Sequence, residues 1–152
     1  MPVQGPGDLG MLQPLDHADS FNSSAVLAAN DAFYAAFASG DSEAMEEIWS
    51  STADITCIHP GWPALNGRPA VLDSWRSILA SNAPLIAAAD AEVRIIGEMA
   101  YVICNEHLEP GTLIATNIFV IEGGAWKLVH HQAGITPVAA PERPSSPQGT
   151  LQ

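Results

Sequence analysis

The side chains best suited to chemistry in this sequence are its histidines. An imidazole exchanges its proton near neutral pH, so it can serve as acid, base or metal ligand. Of the five histidines, His59 ends a short apolar alternation just before Pro60, His107 lies in a Val/Ile-rich run, and His130 and His131 stand side by side in another. Tyr34, Asn117 and Gln132 add hydrogen-bonding groups in apolar surroundings, and Trp62 and Trp75 add large flat surfaces. Such a set suits a mostly apolar cavity that holds a small molecule by a few convergent polar groups. It suits a metal poorly, because neighbours such as His130 and His131 point to opposite faces of a strand and no close His-x-His or carboxylate pair completes a coordination sphere. The sequence carries no nucleophile elbow, phosphate loop or dinucleotide glycine motif, so nucleophilic hydrolysis, kinase and Rossmann chemistry have no support.

These residues need elements to position them. From Ser23 or Ser24 as cap, Val26, Leu27, Asn30, Phe33, Tyr34 and Phe37 recur at helical spacing up to Gly40, a glycine suited to a left-handed stop. Asp41 is placed to cap a short second helix bearing Met45, Ile48 and Trp49, ending near Ser51. A strand is expected over Asp54–His59, stopped by Pro60, Gly61 and Pro63. After an Asn66-Gly67 turn, Pro69 opens a third helix whose stripe is Val71, Leu72, Trp75, Ile78 and Leu79, closed by Pro84. The period then changes. Glu92–Ile96, Met99–Leu108, Leu113–Glu122 and Trp126–Ile135, separated by Gly97-Glu98, Pro110-Gly111 and Gly123-Gly124, predict a four-strand antiparallel meander. The fold class is therefore α+β: three N-terminal helices packed on a strongly curved, mostly antiparallel sheet, a cone with a pocket at its open end.

Strand alternation sorts the candidates. In the last strand Trp126, Leu128, His130 and Gln132 share one face, and Lys127, Val129 and His131 the other; since lysine seeks water, the face with His130 is expected inside. In Met99–Leu108, Tyr101, Ile103, Asn105 and His107 alternate with Val102, Cys104, Glu106 and Leu108, while Asn117 lies with Phe119 and Ile121. The expected pocket gathers Tyr34, His59, Trp62, Trp75, His107, Asn117, His130 and Gln132. Trp62, in a Pro-rich loop, is the candidate lid, and Trp75 sits on a helical core stripe.

The element order resembles the SnoaL-like branch of the nuclear transport factor 2-like superfamily over most of residues 23–137. It does so together with Ser39-Gly40-Asp41, His59-Pro60-Gly61, Asn66-Gly67-Arg68 and the Trp126-Lys127-Leu128-Val129-His130-His131 run. The resemblance implies a cone-shaped domain with a pocket, dimerising through the outer face of its sheet. The superfamily holds ketosteroid isomerases, polyketide cyclases, dehydratases and epoxide hydrolases, and also transport factors and the association domain of calcium/calmodulin-dependent kinase type II. Fold alone therefore does not settle function. Ketosteroid isomerases carry a carboxylate base before a proline where this sequence has His59, and an oxyanion-donating tyrosine on the first helix where it has Tyr34. His107 and Asn117 match positions that face the pocket in the kinase association domain, where arginines stand. The resemblance thus implies proton transfer with His59 as base, Tyr34 and Asn117 polarising an oxygen and His130 as second acid or base. Trp62, Trp75, His107 and Gln132 would contact the ligand, with no cofactor and no metal. The ligand expected is a small, largely apolar molecule bearing a carbonyl or hydroxyl. The alternative is a non-catalytic assembly or protein-interaction domain, to which Val93–Glu98 and Trp126–His130 are also similar.

The 152 residues, 47% hydrophobic and 14% charged, suit one globular domain and exclude general disorder. Lys+Arg of 5 against Asp+Glu of 17 gives a net charge of −12, which repels phosphate backbones and anionic lipid, so nucleic acid and membrane are not expected partners. Residues 1–20 and 138–152, rich in proline, read as flexible tails around a domain at 21–137. No basic and apolar leader pattern and no run long enough to span a bilayer occurs, which points to a cytoplasmic protein with Cys57 and Cys104 as reduced, buried thiols.

Overall fold

The computed structural model describes the backbone of residues 5–82, 85–109 and 111–137, and side chains within those ranges from residue 21 onward. Helix α1 runs Gly5–Ser39 and turns Val26, Asn30, Phe33 and Tyr34 inward along one stripe. Its start corrects the expected cap at Ser23 or Ser24, since the backbone is already helical from Gly5. At its end Gly40 takes a positive φ of 66°, which only glycine adopts without strain, and the Asp41 N–H donates back to the Ala36 carbonyl at 3.0 Å. Asp41 then caps α2 (Ser42–Ile48), its Oδ1 accepting from the Ala44 N–H at 3.0 Å. Helix α3 (Arg68–Ala80) starts after Gly67 with Pro69 in its first turn and buries Val71, Leu72, Ser74 and Trp75. Arg68 locks α2 to α3 by donating to the carbonyls of Ser50 at 2.7 Å, Trp49 at 3.2 Å and Glu46 at 3.3 Å.

Six strands form one mixed sheet: β1 (Thr56–Ile58), β2 (Leu65–Asn66), β3 (Ala87–Ile96), β4 (Met99–His107), β5 (Thr112–Glu122) and β6 (Ala125–Ile135), in the order β2-β1-β6-β5-β4-β3. The expected meander is present as β3 to β6, and β1 joins it parallel to β6. Strand β2, only two residues long and paired with β1, was not legible, because so short a segment shows no alternation. The expected Asp54–His59 strand contracts to Thr56–Ile58. Helix α1 packs across β3, β4 and β6, while α3 covers β1 and β2. Between the layers lie Phe33, Trp75, Phe119 and Leu128, all 2% exposed or less. Each such side chain contributes about 1.5–3 kcal/mol on leaving water. The expected tail 138–152, the expected stop at Pro84 and residues 1–4 lie outside the described residues.

One irregularity in β6 decides the site. Ile118 pairs with His130 but the next residue, Phe119, pairs with Leu128, so Val129 is an extra residue without a partner. Such a bulge breaks strict alternation. Leu128 and His131 consequently both face inward, 0% and 2% exposed, whereas His130 faces out. Lys127 does lie on the outer side, as its charge requires, but the bulge carries His130 there too. The expectation of an inward His130 and an outward His131 is thereby corrected.

Candidate functional site

A cavity of about 220 Å³ opens between α3, the β1–β2 loop and the inner faces of β4, β5 and β6. Phe37, Ile78, Leu108 and Leu113 make it apolar, and Trp62 and Trp75 add ring surface. Three titratable groups reach it: His59, Glu106 and His131. His59, at the end of β1, lies between the two tryptophans, with ring centroids 4.7 Å from Trp62 and 4.8 Å from Trp75. Trp62 is 44% exposed and so stands at the mouth.

Hydrogen-bond accounting assigns the histidine tautomers. The Ser74 hydroxyl spends its proton on the Val71 carbonyl at 2.7 Å, so it can only accept from His59 Nε2 at 2.9 Å. His59 Nδ1 therefore carries a lone pair. Behind the cavity Asn117, fully buried, donates through Nδ2 to Asn30 Oδ1 at 2.8 Å and Tyr34 Oη at 3.2 Å. Its Oδ1, 2.5 Å from His131 Nδ1, accepts that ring proton, which leaves the lone pair of His131 on Nε2. Tyr34 passes its own proton toward Glu106 Oε2 at 2.5 Å. His131 Nε2 and Glu106 Oε2 then lie 4.0 Å apart, too far for a hydrogen bond.

Burial disfavours charge on this group of side chains. It holds the His59 imidazole down to about 4 and that of His131 down to about 3, the latter helped by the neighbouring His59 and His130. Burial pushes the Glu106 carboxyl up, against the lowering effect of the Tyr34 hydrogen bond, and lifts the Tyr34 phenol and the Cys57 thiol as well. An imidazole that burial holds neutral thus lies beside a carboxyl whose protonated form burial favours. Among the described residues no three His, Cys, Asp or Glu side chains converge as metal ligands.

The structure brings together His59, Trp62 and Trp75 on the wall and sets Tyr34 and Asn117 directly behind it. Neither Tyr34 nor Asn117 lines the cavity, and their donors are committed to other side chains behind it. Three expected residues point away. His130 bonds Thr56 Oγ1 through Nδ1 at 2.6 Å, Gln132 is exposed on the outer face, and His107 pairs with Thr112 across β4 and β5 with Nδ1 3.0 Å from Oγ1. In β4 the inward set is Ala100, Val102, Cys104 and Glu106, so the inward place expected of His107 is held by Glu106. Sequence reasoning passed over Glu106 and His131. Glu106 alternates with the apolar Val102 and Cys104, but Ile103 and Met99 on the other face are apolar too, so alternation alone left the inward face of that strand open.

Comparison with known proteins agrees with this architecture. Residues 26–138 match the family model of the SnoaL-like domain. A Streptomyces avermitilis protein of the NTF2-like family, provisionally assigned as a dehydratase, superposes with a TM-score of 0.72 at 31% identity, covering 79% of this chain and 99% of that one. A Thiobacillus denitrificans protein, provisionally assigned as a calcium/calmodulin-dependent protein kinase type II association domain, superposes with a TM-score of 0.65 at 31% identity, covering 72% of this chain and 93% of that one. The F-box protein SKIP8 of Arabidopsis thaliana is 25% identical over 114 residues, 73% of this chain; the chain spans 49% of the length of that protein.

Proposed function

The chain belongs to the SnoaL-like domain family of the nuclear transport factor 2-like superfamily, and from that premise we propose that it binds a small, largely apolar molecule bearing a carbonyl or hydroxyl and performs acid–base chemistry on it without a cofactor. The observation that carries this reading is the cavity lined by His59, His131 and the Glu106 carboxyl, with hydrogen bonds that leave a lone pair on each imidazole. An imidazole lone pair in an apolar site accepts a ligand proton or hydroxyl without competition from water. His131 takes the second acid–base place that the sequence assigned to His130, and His59 orients the ligand beneath the Trp62 ring. Isomerase, cyclase and dehydratase chemistry all need this much, and the similarity to a protein provisionally assigned as a dehydratase supports the same class. We further propose a cytoplasmic setting, in which the free Cys57 and Cys104 stay reduced. No described helix is long and apolar enough to cross a membrane.

Thermal unfolding with a panel of uncharged ketones tests the reading. A compound at one hundred times its Kd stabilises by about 2.7 kcal/mol, a rise on the order of 5–10 °C. His59→Ala should remove that rise while leaving the apo protein folded; a panel that shifts nothing sinks the reading.

A second reading, assembly through the outer sheet face, is favoured by Met99, Ile103 and Ile114, each 40% exposed on strands β4 and β5. A homodimer formed there is compatible with a working pocket, because the cavity opens on the opposite face. Sedimentation of Ile103→Lys/Ile114→Lys should show a monomer; an unchanged mass places the contact elsewhere.

A further inference from the structure

We propose that Glu106 and His131 are the acid and base of a reversible loss of water from an uncharged β-hydroxy carbonyl compound, because both face one cavity with Glu106 Oε2 and His131 Nε2 4.0 Å apart and both are tethered through Asn117. The proposal rests on the small-molecule reading above and narrows it to one reaction. Moving a proton along a carbon chain asks for only one base. Expelling hydroxide also demands an acid beside that base, since the hydroxyl leaves only as water. Here the acid and base are adjacent and held at a set separation by one asparagine, which receives the His131 ring proton and donates to the Tyr34 oxygen behind Glu106.

The atoms balance within the pair. His131 Nε2 takes the proton from the carbon next to the carbonyl, and the C–H electrons form the new C=C bond. The C–O bond to the β-hydroxyl breaks toward oxygen, which receives the Glu106 proton and departs as water. Tyr34 already donates to Oε2, so that proton sits on Oε1, which accepts nothing from the described residues. The step leaves an imidazolium and a carboxylate 4.0 Å apart, and one water molecule between them returns the proton. Nothing is oxidised or reduced, and hydration follows the same path backwards.

The substrate is uncharged because the cavity offers no counter-charge. Among the described residues, Arg68 is spent on backbone carbonyls, Arg76 on Asp73 and Glu46, Arg94 on Glu92 and the Val93 carbonyl, and Lys127 on the Glu47 carbonyl. A ligand carboxylate in this cavity would be buried without a partner, which costs several kcal/mol.

The probe is 3-hydroxycyclohexanone, whose loss of water gives 2-cyclohexen-1-one, followed by the ultraviolet absorbance of the conjugated enone; exchange of its α-protons in D2O is followed in parallel by NMR. Glu106→Gln keeps the shape of the acid and an acceptor for Tyr34 but has no proton to give. It should slow water loss about 100-fold or more while exchange falls less than about tenfold. His131→Asn should depress both by comparable factors. Equal losses of both rates in Glu106→Gln, or no loss, would overturn the assignment. A measurement on the unmodified protein covers the case in which a variant fails to fold. Hydration of 2-cyclohexen-1-one in D2O should place the new deuterium and oxygen on the same side of the ring, because both come from one wall; a trans product contradicts the pair. A protein that binds 2-cyclohexen-1-one, seen as a shift of the His131 resonances, yet adds no water, refutes this proposal and leaves the pocket reading standing. Absence of binding by every uncharged ketone refutes both.

Discussion

Two glutamates near the ends of neighbouring strands have opposite surroundings and opposite chemistry. Glu106, in β4, is 2% exposed, takes one hydrogen bond from Tyr34, and has its carboxyl pushed up by burial. Glu122, the last residue of β5, accepts from the hydroxyls of Ser50 at 2.5 Å, Ser51 at 3.0 Å and Thr52 at 3.1 Å and from the Ser51 N–H at 3.2 Å, which hold it down to about 2. Its carboxylate pins the loop after α2 to the sheet. A carboxylate surrounded by donors and water is stable as an anion and therefore inert; one with a single donor in an apolar wall is pushed toward its protonated form. The comparison separates a clamp from a candidate catalytic group by counting donors and water, without reference to residue type.

The largest expected effect lies in the tether of the buried region. Asn117→Ala leaves the His131 ring proton, Asn30 and Tyr34 without a shared partner, and should lower stability by about 3 kcal/mol in urea unfolding. Removing Ser50 from the clamp by Ser50→Ala should lower it by less, because Ser51 and Thr52 still hold Glu122. If the order is reversed, the clamp and not the buried network is what holds this fold together.

Acid sharpens the contrast next. His59 and His131 have folded values of about 4 and about 3 against 6.5 unfolded, so the unfolded chain binds their protons first and stability falls as pH drops below 6.5. Each contributes a slope of up to about 1.4 kcal/mol per pH unit, and His131→Asn should make the profile shallower between pH 6.5 and about 3. An unchanged profile would mean that the His131 ring is solvated.

Between the two glutamates the signs oppose. Above about pH 4.5 the unfolded chain ionises Glu106 while the native state keeps its proton, so stability falls as pH rises through that window and Glu106→Gln removes the fall. The clamp behaves the other way: Glu122 stabilises above pH 4.5 and loses its contribution as pH falls toward 2, a dependence that Glu122→Gln abolishes. Denaturant midpoints across pH for both variants check the pair, and equal signs break the comparison. Trp62→Ala, at a side chain 44% exposed, should move the melting temperature least, yet weaken ketone binding several-fold by opening the mouth of the cavity.

Much of the architecture was legible because its signals are local. Gly40 stops α1, Asp41 caps α2, Pro69 opens α3, and Gly97 and Gly123-Gly124 turn the hairpins, each through the conformation of one or two residues. The site was legible in part. His59, Trp62 and Trp75 follow from the end of a strand, a Pro-rich loop and a helical stripe, and all three line the cavity. Gln132, His107 and His130 did not follow, because assigning a face takes one correct anchor for each strand. In β4 the resemblance points His107 toward the pocket, whereas the buried Val102 and Cys104 mark the other face as the core. In β6 the anchor, Lys127, was right, but the count from it was broken at Val129.

By itself the sequence determined the kind and order of the elements other than the two-residue β2 and, through its resemblance, the family, since caps, turns and periodicity are properties of neighbours in the chain. Only the tertiary structure decided which acid and which imidazole meet. A strand presents its faces according to the register with its partner, and one extra residue opposite Ile118 and Phe119 exchanges His130 for His131 at the cavity wall. The upward push on the Glu106 carboxyl has the same origin, in the helix, loop and strands that close over it and exclude water, contacts between residues far apart in the chain.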